Sequence, residues 1–417
     1  VYSLVLNLKV MKSAYKKLIT GITNSQETMV EQLHQFCEIN SSTSNLPGLA
    51  QMRDALHTAY KPIADTIQIH KFSPIPVIDM SGDTQVQISG DALFISKRPH
   101  LKRRVLLSGH MDTVYSPESQ FQKLTYINDN CINGPGVTDM KGGLIVMLHA
   151  LSAFEQDESA MKLGWDVVIN ADEEIGSPAS SVLFDELAAH YQAALVYEPA
   201  MTEKGTLAKN RKGSGKITLI ATGKSAHAGR DFSEGRNAIC YLSEAVCAIN
   251  ELNRKRDGVT INVGKIAGGQ ALNVVPDKAV AQLDIRINHP EDEFWIRTEF
   301  DKIIQKLKRP DYSLSLHGGF GRPVKHINSG TKRLFYRIQH IGKELGISID
   351  WKDSGGCCDG NNLAKHGIPV LDSLGVRGSK IHSEEEYILL DSLPERTALT
   401  TLLLLDLAQG GLEDLTK

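Results

Sequence analysis

The sequence predicts an α/β fold, in which a domain with a mainly parallel central sheet carries an inserted, smaller α+β domain of ferredoxin-like order. Three observations predict it. The chain has 417 residues, more than one hydrophobic core usually serves, so two domains are expected. Short apolar strands alternate with helices over the first half and again near the end. Between these stretches the order changes to β-α-β-β-α-β.

The opening ten residues, VYSLVLNLKV, lack a basic start, a long apolar run and a small-residue cleavage site. No signal peptide is expected, and Met11 is a candidate alternative start. Residues 13–64 read as helical, interrupted by SSTSNLPG at 41–48. A strand ending in VLLSGH lies near 105–107, and a helix over 144–154 is marked by Leu144, Met147, Leu148, Leu151 and Phe154. The runs VVINA (167–171) and ALVY (194–197) are strands of the buried type. The insert reads as strand 216–222, helix 235–253, strands 259–266 and 279–287, helix 291–308 and strand 312–316. The first rhythm returns with helix 331–345, a Gly-rich turn, strand 368–372 and helix 392–408. Residues 1–212 and 323–417 are therefore expected to form one discontinuous domain, and residues 213–322 the insert.

Hydrophobic residues make up 41% and charged residues 23%, which is ordinary for a soluble globular chain. A net charge of −3 without a basic run argues against nucleic acid as a partner. No apolar run approaches the length of a membrane-spanning helix, so no membrane partner and a cytoplasmic location are expected. None of the six cysteines forms a C-x-x-C pair. That disfavours a thiolate zinc site, and so few cysteines in a long chain suit a reducing compartment.

Five segments place acidic or imidazole groups where α/β sheets gather ligands, beyond the carboxyl ends of strands. They are GHMDTV, GPGVTDMKGG, NADEEIGS, VYEPA and KIHSEEE. In the first, Asp112 follows His110 by two residues, so both side chains point the same way on an extended segment and Asp112 can orient the imidazole. The competing reading is a turn aspartate beside a partly buried histidine. In the second, Asp139 sits just before a helix that opens with Met140, Lys141, Gly142 and Gly143. Taken alone it reads best as an N-cap, and otherwise as a carboxylate free to bridge two metals, with the glycines permitting close backbone packing. In the third, Glu173 and Glu174 leave a buried strand together. Two such carboxylates need a counter-charge, and one ligand plus one base is the division of labour that hydrolysis uses. Glu198 after ALVY reads alone as an exposed strand-end acid, and His382 as a surface histidine. Together the segments supply two imidazoles and three carboxylates, enough for two zinc ions sharing one bridge, with Glu173 left over.

As a set, these segments resemble the co-catalytic di-zinc peptidase and deacylase family, which includes glutamate carboxypeptidase, acetylornithine deacetylase, succinyl-diaminopimelate desuccinylase and aminoacylase. The resemblance runs from about residue 30 to about residue 410, in the family's motif order, and is nearest in pattern to glutamate carboxypeptidase. It implies two Zn2+ per chain, with Co2+ or Mn2+ as substitutes. His110, Asp139 and Glu198 would hold one ion, and Asp139, Glu174 and His382 the other. Asp112 would orient His110. Glu173 would take a proton from a metal-bridging water and pass it to the leaving amine.

The resemblance also makes the insert a lid and dimerisation domain. His227 in GKSAHAGR would reach the active site of the second copy in a homodimer and steady an oxyanion. Asn273 in GGQALNVVP, Arg286 in LDIRI and Arg322 in GFGRPV match substrate-contacting positions, Arg322 the one for a substrate carboxylate. Read without the resemblance, His227 is a loop histidine, Asn273 a turn residue, Arg286 part of a solvated face and Arg322 a hinge arginine. The implied activity is hydrolysis of a small N-acyl amino acid or peptide-like substrate with a free carboxylate. A deacetylase or desuccinylase is the alternative, and a non-catalytic homologue a weaker one. A serine hydrolase lacks its G-x-S-x-G elbow.

Two segments depart from the family. SGGCCDGNN carries vicinal Cys357 and Cys358, read first as small buried space-fillers. KNRKGSG (209–215) adds three cations, read as a solvated hinge or as a preference for acidic substrates.

Overall fold

The computed structural model describes residues 13–416. The opening apolar segment and Met11, with the expectation that no signal peptide is present, lie outside the described residues. The central sheet has six strands, in the order Thr66–His70, Ala92–Lys97, Gly164–Asn170, Arg104–His110, Ala193–Val196, Val370–Leu371. The last four run parallel, and the first two are antiparallel at one edge. Apart from the edge strand Thr66–His70, the sheet is buried on both faces. Along Arg104–His110, Val105 and Leu107 join one core, while Leu106 faces the other. Trp165, Val167 and Ile169 alternate with Val168 in the same way. Burying each such large apolar side chain contributes about 1.5–3 kcal/mol.

The first core is covered by the helices Ser13–Asn24, Gln26–Cys37, Leu46–Tyr60, Gly142–Phe154, Ser329–Leu345 and Ser392–Asp406. Asn45 caps the third of these by accepting from the Gly48 N–H at 3.2 Å, so the loop read over 41–48 ends inside a helix. Val137–Phe154 is apolar enough by length and composition to cross a membrane, yet 89% of it is buried inside the fold.

From Gly213 to Arg322 the chain forms a four-stranded antiparallel sheet in the order Thr260–Gly268, Lys278–Ile287, Gly213–Thr222, Ser313–Arg322. Numbered along this segment that order is 2-3-1-4, the ferredoxin-like one. Ile217, Leu219, Leu283 and Ile285 pack there against Tyr241, Leu242, Ile296 and Phe300 in a core of their own. Its last strand runs past the expected end at 316. Gly318 (φ +89°) lies against the Lys216 carbonyl, where a Cβ would come within 2.3 Å. A register shift between Ser214 and Gly215 then lets pairing continue, setting Arg322 opposite Ser214 at the root of the sheet.

Several elements escaped the sequence reading, among them the edge strand Thr66–His70, its neighbour Ala92–Lys97, and the hairpin Ile75–Ile78/Thr84–Gln87, which carries no clean alternation.

Candidate metal centre

Three neighbouring parallel strands end at one place. His110 closes Arg104–His110 and pairs with Asn170, Glu173 follows Gly164–Asn170 by three residues, and Glu198 follows Ala193–Val196 by two. The helix Gly142–Phe154 starts close by. A Cβ on Gly143 would lie 2.3 Å from the Tyr197 carbonyl oxygen, so only glycine lets the helix start approach that strand end. Pairing of Cys131–Asn133 with Tyr387–Leu389 brings the loop of Asp139 beside the loop of His382.

Asp139 does not cap the helix. Its backbone is extended (φ −114°, ψ 93°), and its two oxygens face two histidines. Oδ1 lies 3.2 Å from His110 Nε2, and Oδ2 lies 3.3 Å from His382 Nε2. His110 Nε2 is also 3.8 Å from Glu198 Oε1 and 4.0 Å from Glu173 Oε2, and His382 Nε2 is 3.1 Å from Glu174 Oε2. Two groups have ligand atoms all within 4.8 Å of one another, His110 with Glu173 and Glu198, and His110 with Asp139 and Glu174. His382 is half exposed and holds φ +62°, a left-handed backbone that costs about 1–3 kcal/mol.

Asp112 is fully buried. His110 Nδ1 lies 3.0 Å from its carbonyl and 3.3 Å from its Oδ1. Its carboxylate also accepts the backbone N–H of Glu173 and of Glu174, each at 3.2 Å, and the Thr43 hydroxyl at 2.8 Å. One side chain thus holds the imidazole and the Glu173–Glu174 loop together.

The electrostatics describe a site short of positive charge. Burial pushes Glu174 up to about 8, with the Asp139 carboxylate beside it adding to the rise. Glu198 is driven well above the carboxylate range by burial and by Glu173. Glu173 is raised by burial against the opposing pull of Arg322 and His110. Burial would lower His110, but its bonds to Asp112 and Asp139 hold it well above the imidazole range. Asp139 and Glu174 lift His382 to about 11. Glu174 Oε1 is buried with no hydrogen-bond partner. Divalent cations among these oxygens would supply the missing charge, and the mixed nitrogen and oxygen donor set fits zinc.

Arg322 is 2% exposed and faces inward. Its Nη1 lies 2.8 Å from Glu173 Oε1, and its Nη2 donates to the Glu173 carbonyl and the Ser177 hydroxyl, both at 2.9 Å. Asp359 Oδ1 lies 3.4 Å from Nη2. Asp359 in turn accepts from Ser177 Oγ and from Asn170 Nδ2. This buried network of Asn170, Ser177 and Asp359 escaped the sequence reading, since nothing local distinguishes its members from turn residues.

Arg286 is 31% exposed, bonds Asp284, and donates from Nη1 to Cys357 Sγ at 3.0 Å. Cys357 is therefore no space-filler, whereas Cys358 is buried as expected. All six cysteines are free. The expectation of a solvated KNRKGSG hinge fails at Arg211. That residue is buried, with Nε 2.6 Å and Nη2 2.9 Å from the Asp372 carboxylate, because the strand Leu207–Arg211 runs alongside Trp351–Ser354 next to Asp372.

His227 and Asn273 stand apart on exposed positions of the Gly213–Arg322 segment. His227 pairs with Val274, and its Nδ1 accepts the N–H groups of Gly229 and Arg230, each at 3.1 Å. Among the described residues no hydrogen bond or ion pair links either to the cluster around His110.

Residues 106–406 match the model of Peptidase family M20/M25/M40. Carboxypeptidase G2 of Pseudomonas sp. (strain RS-16) is 26% identical over 395 residues, covering 94% of this chain and 92% of that protein. A putative succinyl-diaminopimelate desuccinylase, DapE, of Mycobacterium tuberculosis is 30% identical over 307 residues, covering 68% and 77%. An M20 family metallo-carboxypeptidase from Sulfolobus solfataricus shares the fold with a TM-score of 0.71 at 17% identity, covering 91% of this chain and 99% of that one.

Proposed function

The chain belongs to peptidase family M20/M25/M40, and from that premise we propose that it is a two-zinc hydrolase that cleaves the amide bond of a small N-acyl amino acid or peptide with a free carboxylate. The observation that carries this reading is Asp139, whose two oxygens each face a different histidine at 3.2 and 3.3 Å. That arrangement supports a shared carboxylate between one ion held with His110 and Glu198 and a second held with Glu174 and His382. When bound, the metal pair supplies positive charge that polarises the scissile carbonyl and acidifies the attacking water.

The chain's own residues do the rest. Asp112 fixes the tautomer and direction of His110. Glu173 accepts the proton of the attacking water and delivers it to the leaving nitrogen. Arg322 gives Glu173 its counter-charge. A substrate carboxylate drawn to Arg322 competes with Glu173 for the guanidinium, which ties substrate binding to release of the base. Asn273 and Arg286 complete the substrate contacts.

His227 acts from a second copy, with residues 213–322 as the lid and dimerisation domain. Two N–H groups donate to its Nδ1, which leaves Nε2 as a donor suited to an oxyanion. Exposed Phe232, Ile239, Ile266, Leu272 and Val274 lie on the segments around it and favour a homodimer through this face.

The test is metal content followed by turnover on a panel of N-acyl amino acids, with and without chelator. About two zinc ions per chain and chelator-sensitive amino-acid release are expected. No metal after zinc reconstitution would overturn the reading. The likeness to the desuccinylase favours a biosynthetic deacylase as the second reading. Acetylornithine and succinyl-diaminopimelate, compared with acyl-glutamates, separate the two.

A further inference from the structure

Glu386 is one of three consecutive glutamates, yet it alone is withdrawn completely from solvent. Its Oε1 accepts the backbone N–H of Thr138 at 2.8 Å and of Asp139 at 3.0 Å. Its Oε2 accepts the N–H of Gly136 at 3.3 Å and the Tyr115 hydroxyl at 2.5 Å. The same hydroxyl lies 2.9 Å from the Ser383 carbonyl. The Glu386 carbonyl accepts from the Gly134 N–H at 3.1 Å and from Asn133 Nδ2 at 2.7 Å.

Three segments meet at this carboxylate. Tyr115 is three residues beyond Asp112, the second segment ends on Asp139, and Glu386 is four residues beyond His382. Each of these segments carries a residue proposed above to hold a metal or to orient a ligand. The two oxygens of this carboxyl group meet four converging donors, three of them backbone groups that have no helix or sheet to satisfy them.

We propose that Glu386, braced by Tyr115, is a positioning residue that sets the Asp139 loop against the His382 loop and so determines the geometry of both metal sites at once. The inference rests on Asp139 as the shared ligand. Glu386 touches neither substrate nor metal and acts only through the backbone of Gly136–Asp139. A displaced loop turns Asp139 Oδ1 and Oδ2 away from the two histidines together, so both sites weaken rather than one. Residues that orient metal ligands typically matter by about 10–100-fold in metal affinity or activity.

The experiment uses the full chain and compares wild type with Glu386→Gln, Tyr115→Phe and, as the control, Glu385→Gln, whose side chain is exposed. Zinc affinity is measured by competition with a chromophoric chelator, the cobalt-substituted protein is examined by its visible spectrum, and kcat and KM are measured separately. Glu386→Gln is expected to weaken both zinc sites by about 10–100-fold, to shift the cobalt spectrum, and to lower kcat with little change in KM. Tyr115→Phe, which leaves the backbone bonds in place, should move the same readouts in the same direction by less and keeps the test open should Glu386→Gln fail to fold. Glu385→Gln should match wild type.

A folded Glu386→Gln with unchanged zinc affinity and cobalt spectrum overturns the proposal. So does a Tyr115→Phe that loses thermal stability while zinc affinity and spectrum stay put. Failure of wild type to take up any metal overturns the parent reading as well, and is told apart because wild type and variants then behave alike.

Discussion

Replacing Glu173 by Gln separates the proton-transfer role proposed for it from metal binding. The amide matches the carboxylate in volume, so no cavity forms, and its oxygen can still accept from Arg322 Nη1, now 2.8 Å from Glu173 Oε1. Arg322 keeps the Glu173 carbonyl and the Ser177 hydroxyl at 2.9 Å, with Asp359 at 3.4 Å, so the guanidinium is not left without partners. What disappears is the capacity to take a proton. General-base catalysis is worth about 10²–10⁴-fold, which at about 1.36 kcal/mol per decade amounts to about 2.7–5.4 kcal/mol of transition-state stabilisation. The expected result is a fall in kcat of that size, with KM and metal content near wild type. Initial rates on the preferred N-acyl amino acid and metal analysis of the same samples supply the readouts. Turnover within about tenfold of wild type would refute the assignment. Loss of one ion per chain would refute it differently: Glu173 groups with His110 and Glu198 inside 4.8 Å, so that result would make it a ligand.

Three further outcomes are expected. Asp139→Ala should lose both ions rather than one, measured as metal per chain, since one carboxylate faces both histidines; retention of one ion would show that it is not shared. Gly143→Ala should destabilise by about 1–3 kcal/mol in chemical denaturation through overpacking against the Tyr197 carbonyl, where the added Cβ would lie 2.3 Å from the oxygen. Asp372 is depressed below the carboxylate range: burial opposes this, but Arg211 and Lys325 outweigh it. Its stabilising contribution is therefore complete above the unfolded value of about 3.9 and is lost as pH falls below it towards the depressed folded value. In denaturation of chelator-treated protein between about pH 2 and 6, Asp372→Asn should flatten that acid slope and cost about 3–5 kcal/mol at neutral pH by leaving buried cations uncompensated. Parallel pH curves for the two proteins would sink this account.

The residue order by itself determined the alternation of strand and helix and the β-α-β-β-α-β order between 213 and 322, because apolar periodicity is a local property. It also determined that acidic and imidazole groups follow buried strands such as Arg104–His110 and Gly164–Asn170, since the apolar run and the polar group after it are adjacent in the chain. Local signals misjudged what depends on partners. Asp139 has the sequence of a helix cap and the backbone of a loop, and its N–H is accepted by Glu386, 247 residues away, which no local signal announces. Arg211 sits in a cationic stretch that looks solvated, and only the arrival of Asp372, 161 residues later, makes burial affordable. Arg322 reads locally as a hinge arginine, and its reach to Glu173 and Asp359 appears only once the Ser313–Arg322 strand extends by register shift. Which oxygen faces which histidine, and which buried carboxylate meets which cation, was decided by the tertiary structure alone. A partner's identity depends on position in space, and at a buried site the penalty for an unpaired charge makes that position decisive.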